Sequence, residues 1–286
     1  MTKQLIPTLC ASALALAACT QQADKPSTAS APAPHLEKRG DVTQLIVKGK
    51  PYLALSCELM NSSSSNRAYM APHWDALKQA GINTVLAVVS WEQTEPQEGK
   101  FDFTVVDDLI TDARAHDMKL ALLWFGSWKN GVSSYHPVWV KKDAARFPSA
   151  LTKDGKTLPI LSTLGAATAE ADGKAYAAMM RHIKEIDSEE QTVIMIQMEN
   201  EVGLHGYTRD FCPAANKAFA EAVPEQLMKY LVEHKESLLP ETLSAWKHSN
   251  FRTSGTWEEV FGRNDRTDEI FMAWNYASYL TTVSAA

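Results

Sequence analysis

Cysteine is scarce in this chain. Four occur in 286 residues, and Cys10 and Cys19 fall within the first twenty, leaving Cys57 and Cys212 for the folded part. A disulfide scaffold is therefore excluded, and two free thiols are the expectation. Charge of one sign is also lacking: 28 Lys and Arg stand against 34 Asp and Glu, a net of −6. No basic cluster offers a phosphate track, so no nucleic-acid partner is expected. No G-x-G-x-x-G or P-loop turn follows an apolar run, which disfavours a nucleotide-binding fold. The eight His form no His-x-x-x-His or Glu-x-x-His pair beside the acids, so no metal and no other cofactor is expected. The leading apolar run is too short for a comfortable membrane span.

That run is a leader. Lys3 supplies a positive start, and residues 5–18 are rich in Ala and Leu. It ends in Leu16-Ala17-Ala18-Cys19, which resembles a bacterial lipobox, where the Cys becomes the lipidated first residue. An ordinary secretory cleavage is the alternative. The expected organisation is a lipoprotein signal peptide over 1–18, a disordered tether over 19–40 and a folded domain over 41–286. The tether follows from the Pro/Ala/Ser composition of residues 20–34, which lacks the side chains of a core. Cys19 would anchor the protein to a membrane of the cell envelope, on the periplasmic side or at the outer membrane.

What remains is an ordinary globular composition, 45% hydrophobic and 22% charged. Residues 44–47 and 52–55 read as a hairpin, the second strand running on into Ser56-Cys57-Glu58. Residues 82–91, 119–125 and 192–198 read as buried strands. Between them, Trp74, Leu77 and Ala80, then Val105, Val106, Leu109, Ile110 and Ala113, then Ala175, Met179, Ile183 and Ile186 recur at helical spacing. Strand and helix alternate, which requires a parallel sheet with helices outside it and favours a barrel. Beyond residue 201 only helical patterns follow, over 216–236, 257–261 and 268–284. Four strands are legible where a barrel needs eight, so the expected fold is α/β, a (β/α)8 TIM barrel truncated after about the fourth strand.

The fourth strand carries the chemistry. The run Thr192-Val-Ile-Met-Ile-Gln-Met198 leads directly into Glu199-Asn200-Glu201. Parallel α/β barrels build their active sites at strand carboxyl ends, and buried Glu is rare unless paired or functional. Glycoside hydrolysis needs two carboxyl groups. Glu201 is the expected proton donor, which requires burial or a nearby negative charge to keep it protonated. Glu199 would supply that charge if extended geometry persisted. The bland alternative is a surface Glu-Asn-Glu loop closing a strand. The eight Trp suit a sugar-stacking cleft or a core equally well.

Two longer motifs favour the first reading. Trp91-Glu-Gln-Thr-Glu-Pro-Gln-Glu-Gly-Lys-Phe-Asp-Phe103 resembles a signature of clan A β-galactosidases, and Gln197-Met-Glu-Asn-Glu-Val-Gly203 resembles the Q-x-E-N-E-x-G motif of glycoside hydrolase family 35. The resemblance implies a retaining exo-β-galactosidase acting on terminal β-galactosyl residues, with Glu201 as acid/base and Asn200 on the sugar 2-hydroxyl. Glu58 would stand at the rim of the galactose pocket, and Glu95 would end the second strand near it or serve only as a structural acid. Trp128, with Trp124 and Trp139, is a candidate stacking residue. Ser127 stands where typical members have an acid. The segment Trp124-Phe-Gly-Ser-Trp-Lys-Asn-Gly131 resembles a bacterial branch linked to xyloglucan. The family's nucleophile ends a later strand, and nothing after Glu201 matches one. A cell-surface sugar-binding lipoprotein without hydrolysis, or a half-barrel needing a partner chain, is therefore kept as the alternative.

Overall fold

The computed structural model describes residues 32–129 and 133–286. The signal peptide, Cys19 and most of the expected tether lie outside the described residues. The tether's last part does not match its expected boundary, because His35–Arg39 forms a strand (β1). β1 pairs antiparallel with Val42–Val47 (β2), which pairs with Lys50–Tyr52 (β3). The third strand does not run on as expected. It stops at Tyr52, and the chain joins a second sheet at Ser56–Glu58 (β4). Asn83 makes the join: its side chain accepts from Leu55 N–H (2.9 Å) and donates to Leu53 O (2.9 Å).

The second sheet holds the domain together. Thr84–Ser90 (β5) and Lys119–Phe125 (β6) lie between β4 and a later strand, Val193–Met198, and all four are parallel. Between β6 and that strand comes a small hairpin, Ser149–Leu151 (β7) with Thr157–Leu161 (β8), so Val193–Met198 is β9. Apolar side chains on both faces explain why β5 and β6 are central. Val85, Ala87, Val89, Leu120, Leu122 and Trp124 pack on the helices His73–Gln79, Thr104–Ala115 and Ala166–Asp187. The opposite face carries a smaller cluster of Val88, Leu123 and Phe125. Among the described residues the strands do not close into a barrel, and β4 and β9 each have one unpaired edge. Met195 on β9 is 54% exposed as a result.

Helices follow β9: Pro213–Ala220, Glu225–Glu233, Pro240–Lys247, Trp257–Phe261 and Asp265–Ser284. The single helix expected over 216–236 is two, because the first ends at Ala220 and Pro224 opens the second. These helices enclose their own core around Trp246, Trp257, Phe261 and Phe271. The last one lies against Ala166–Asp187 at Gly173, where an added Cβ would stand 3.5 Å from Val283 Cα. No helix among the described residues is long and apolar enough to cross a membrane. Cys57 and Cys212 are both free, the first half-buried and the second buried.

Candidate active site

The carboxyl end of β9 departs from extended geometry at once. Glu199 has φ 62° and Glu201 φ 46°, left-handed values that side chains with a Cβ rarely adopt. The expected shared strand face is therefore lost, and the two acids part. Glu199 turns into the protein and is 2% exposed. Glu201 turns outward, its side chain 54% exposed. Gln197 braces the turn, its Nε2 donating to Glu199 O (3.0 Å) and Asn200 Oδ1 (2.8 Å).

Glu199 meets the loop that follows β6. Its Oε1 accepts from Ser127 N–H (3.1 Å) and its Oε2 from Trp128 N–H (2.8 Å). A second carboxyl, fully buried Asp172 of the Ala166–Asp187 helix, shares the Ser127 N–H at 3.0 Å. Asp172 also accepts from Trp124 Nε1 (2.9 Å) and Ser127 Oγ (2.6 Å). The Tyr279 hydroxyl, from the last helix, stands 2.6 Å from Ser127 Oγ and 3.3 Å from Asp172 Oδ2. Burial, with the charge and hydrogen bond of Asp172 beside it, pushes Glu199 well above the usual carboxylate range. Burial pushes Tyr279 up too, with Asp172 and Glu199 adding to it.

Glu201 has the opposite electrostatics. Lys129 Nζ donates to its Oε2, and the hydrogen bond and charge of Lys129, with His205 nearby, hold it below the usual range. In this arrangement the carboxyl is ionised, a base rather than a proton donor.

The other sequence-predicted residues separate into two groups. Glu58 is exposed at the end of β4. Its register with Leu86, Ala121 and Met195 puts it on the sheet face that carries the smaller cluster. Above that face a cleft of about 380 Å³ is lined by Asn61, Ser62, Ser90, Gln93 and Tyr135. Glu95 is buried and occupied. It accepts from Trp91 Nε1 (2.8 Å) and Gly99 N–H (2.6 Å), so it organises the loop after β5 and does not face the cleft. Trp128 is a correction: its indole is 2% exposed and meets Tyr279 edge-on at 4.2 Å, so no ring face is left for a sugar. Among the described residues no cluster of three or more His, Cys, Asp or Glu could hold a metal.

Sequence reasoning missed Asp172 and Tyr279. A signal existed for Asp172: it keeps helical register with Ala169, Ala175, Tyr176 and Met179, and an acid on an apolar stripe needs a buried partner.

Residues 60–262 match the model of glycoside hydrolase family 42, described as β-galactosidase. The chain is 24% identical over 213 residues to a β-galactosidase of Xanthomonas manihotis, covering 71% of this chain and 33% of that protein. It is 28% identical over 134 residues to a β-galactosidase of an Arthrobacter species, covering 46% of this chain and 18% of the relative. The chain thus spans a third or less of these relatives. The β-galactosidase structure from Bacillus circulans sp. alkalophilus aligns with a TM-score of 0.51 at 17% identity, over 81% of this chain and 34% of that one, a likeness of fold alone. The Q-x-E-N-E-x-G motif resembled family 35; the matched model is that of another family. With more than half of its length matched, the chain belongs to glycoside hydrolase family 42, the β-galactosidase family.

Proposed function

We propose that the end of β9 is the acid/base station of a retaining exo-β-galactosidase, with Glu201 as general acid/base and Asn200 contacting the sugar. The observation that carries this reading is the position of Glu201: exposed, at the carboxyl end of a parallel strand, on a turn that buries its neighbour Glu199. Glu58 stands on the face beneath the cleft and is the proposed rim residue. Terminal β-galactosyl groups are the proposed substrate, with xyloglucan side chains the class that the Trp124–Gly131 segment suggests. Attachment to the cell envelope through lipid on Cys19 is proposed from the leader alone, and incorporation of labelled palmitate that Cys19→Ser abolishes tests it.

Retaining hydrolysis needs a second carboxyl about 5–5.5 Å from the first. The charged groups around Glu201 are Lys129 and His205, and they favour its ionised form. A nucleophilic carboxylate at that distance would raise Glu201 and make it a donor. This chain by itself is therefore proposed to bind β-galactosides but to hydrolyse them weakly or not at all. Incubation with p-nitrophenyl β-galactoside and calorimetric titration with methyl β-galactoside test both halves: binding without turnover is expected, and absence of binding overturns the reading. A second reading, a half-barrel completed by a partner chain, is favoured by the unpaired edges of β4 and β9 and the exposure of Leu55 (51%) and Met195 (54%).

A further inference from the structure

We propose that Asp172 and Tyr279 are positioning residues of this site: with Ser127 they form a buried latch around Glu199 that fastens the loop after β6 to the end of β9 and so sets the turn carrying Asn200 and Glu201. Left-handed backbone at two acidic residues persists only where the surroundings over-determine it. Here they do. The carboxylate of Glu199 takes two successive N–H groups, those of Ser127 and Trp128, and the next residue of that loop, Lys129, reaches Glu201. Asp172 holds the same loop from the helix side, through Ser127 N–H, Ser127 Oγ and Trp124 Nε1. Tyr279 closes the set from the last helix, which Gly173 allows to come close.

Two details fix the chemistry. The carboxyls of Asp172 and Glu199 share one N–H and are both buried, so Glu199, pushed up by burial and by Asp172 beside it, holds its proton. A carboxyl in place of Ser127 would add a second charge to this buried pair. A hydroxyl instead donates to Asp172 and touches Tyr279. The titratable group that touches the pair is Tyr279 on the last helix; Tyr176 and Tyr276 pack on Trp124 and Trp128 beside it, and Lys129 pairs with Glu201 across the turn.

The latch gains its meaning from the reading of Glu201 as acid/base, but its test uses no hydrolysis, so the two fail separately. The whole chain and its Glu199→Gln, Glu199→Ala and Tyr279→Phe variants would be unfolded in urea across pH 5 to 9, with amide exchange at Ser127 and Trp128 and carboxyl NMR of Glu201. In the native chain the folding constant should fall by up to tenfold per pH unit from the ordinary glutamate value up to the raised value of Glu199, because unfolding releases the proton that Glu199 holds when folded. Glu199→Gln, which keeps an oxygen for Trp128 N–H and a donor for Asp172, should remove that slope while both amides stay protected and Glu201 keeps its low titration. Glu199→Ala should expose both amides and return Glu201 towards the ordinary glutamate value. If it does not fold, Tyr279→Phe carries the test, with at least tenfold faster exchange at Ser127. An unchanged slope in Glu199→Gln overturns the proposal. So does unaltered exchange at Ser127 in Tyr279→Phe.

Discussion

Gly126 is the narrowest point of the buried network, and replacing it by alanine measures how tightly that network is built. A Cβ there would stand 2.4 Å from Trp124 Nε1, 2.5 Å from Glu199 Oε1 and 2.6 Å from Asp172 Oδ1. All three atoms are in hydrogen bonds, so none can move without leaving a buried polar group unpaired. Overpacking of this kind costs about 1–3 kcal/mol, and one unsatisfied buried carboxyl or indole adds about 1–3 kcal/mol. The sum, about 2–6 kcal/mol, is a large part of a typical total stability of roughly 5–15 kcal/mol. Gly126 lies outside the left-handed region, so the backbone adds nothing to the cost. Urea unfolding followed by tryptophan fluorescence should show the midpoint lowered by more than about 1 M. Gly203→Ala, where a Cβ meets nothing within 4 Å, is the control and should leave the midpoint unchanged. A Gly126→Ala shift no larger than the control's would refute the network as drawn.

Other perturbations follow from single contacts. His136 is buried and held to about 4, chiefly by desolvation and then by Lys141. The unfolded chain takes up its proton near the ordinary value, so stability is full above about pH 6.5 and is lost as pH falls towards 4, by at most about 3 kcal/mol. His136→Phe should flatten that acid limb in urea titrations. Arg114→Ala strips the guanidinium, 2.5 Å away, from Asp187, whose other oxygen accepts from Val193 N–H at the start of β9. About 3 kcal/mol should be lost, read as a lower thermal midpoint, since a buried carboxylate is left without its cation. Lys129→Met should raise the titration of Glu201 from its lowered value towards that of an ordinary glutamate, read by carboxyl NMR.

Much of the frame was legible because its residues repeat a period. Apolar runs marked β5, β6 and β9 to within two residues, and the helical stripes marked the helices between them. What escaped was decided by contacts distant in sequence. β1 is short and polar, and the β7–β8 hairpin is short, apolar and interrupted by Pro159, so pairing more than pattern makes them strands. The site was legible as a place, the end of the fourth parallel strand, but not as an arrangement. Extended geometry would have put Glu199 beside Glu201, and two left-handed residues part them. Trp128 could be a stacking ring or a core ring on composition alone; Tyr279, 151 positions later, makes it core. Asp172 was hidden in an alanine-rich helix whose period was read while its buried acids were not.

The most direct test of the account is the dependence of turnover on leaving group in the native protein carrying these residues, with Glu201 intact and as Glu201→Gln. A general acid is needed most where the departing oxygen is basic, and its removal costs typically 10²–10⁴-fold. Glu201→Gln should therefore lose alkyl β-galactoside hydrolysis by about that factor, while first attack on an activated dinitrophenyl β-galactoside persists. Equal turnover of the alkyl galactoside by both proteins would contradict the assignment of Glu201 and, with it, the reading of β9's end as the acid/base station.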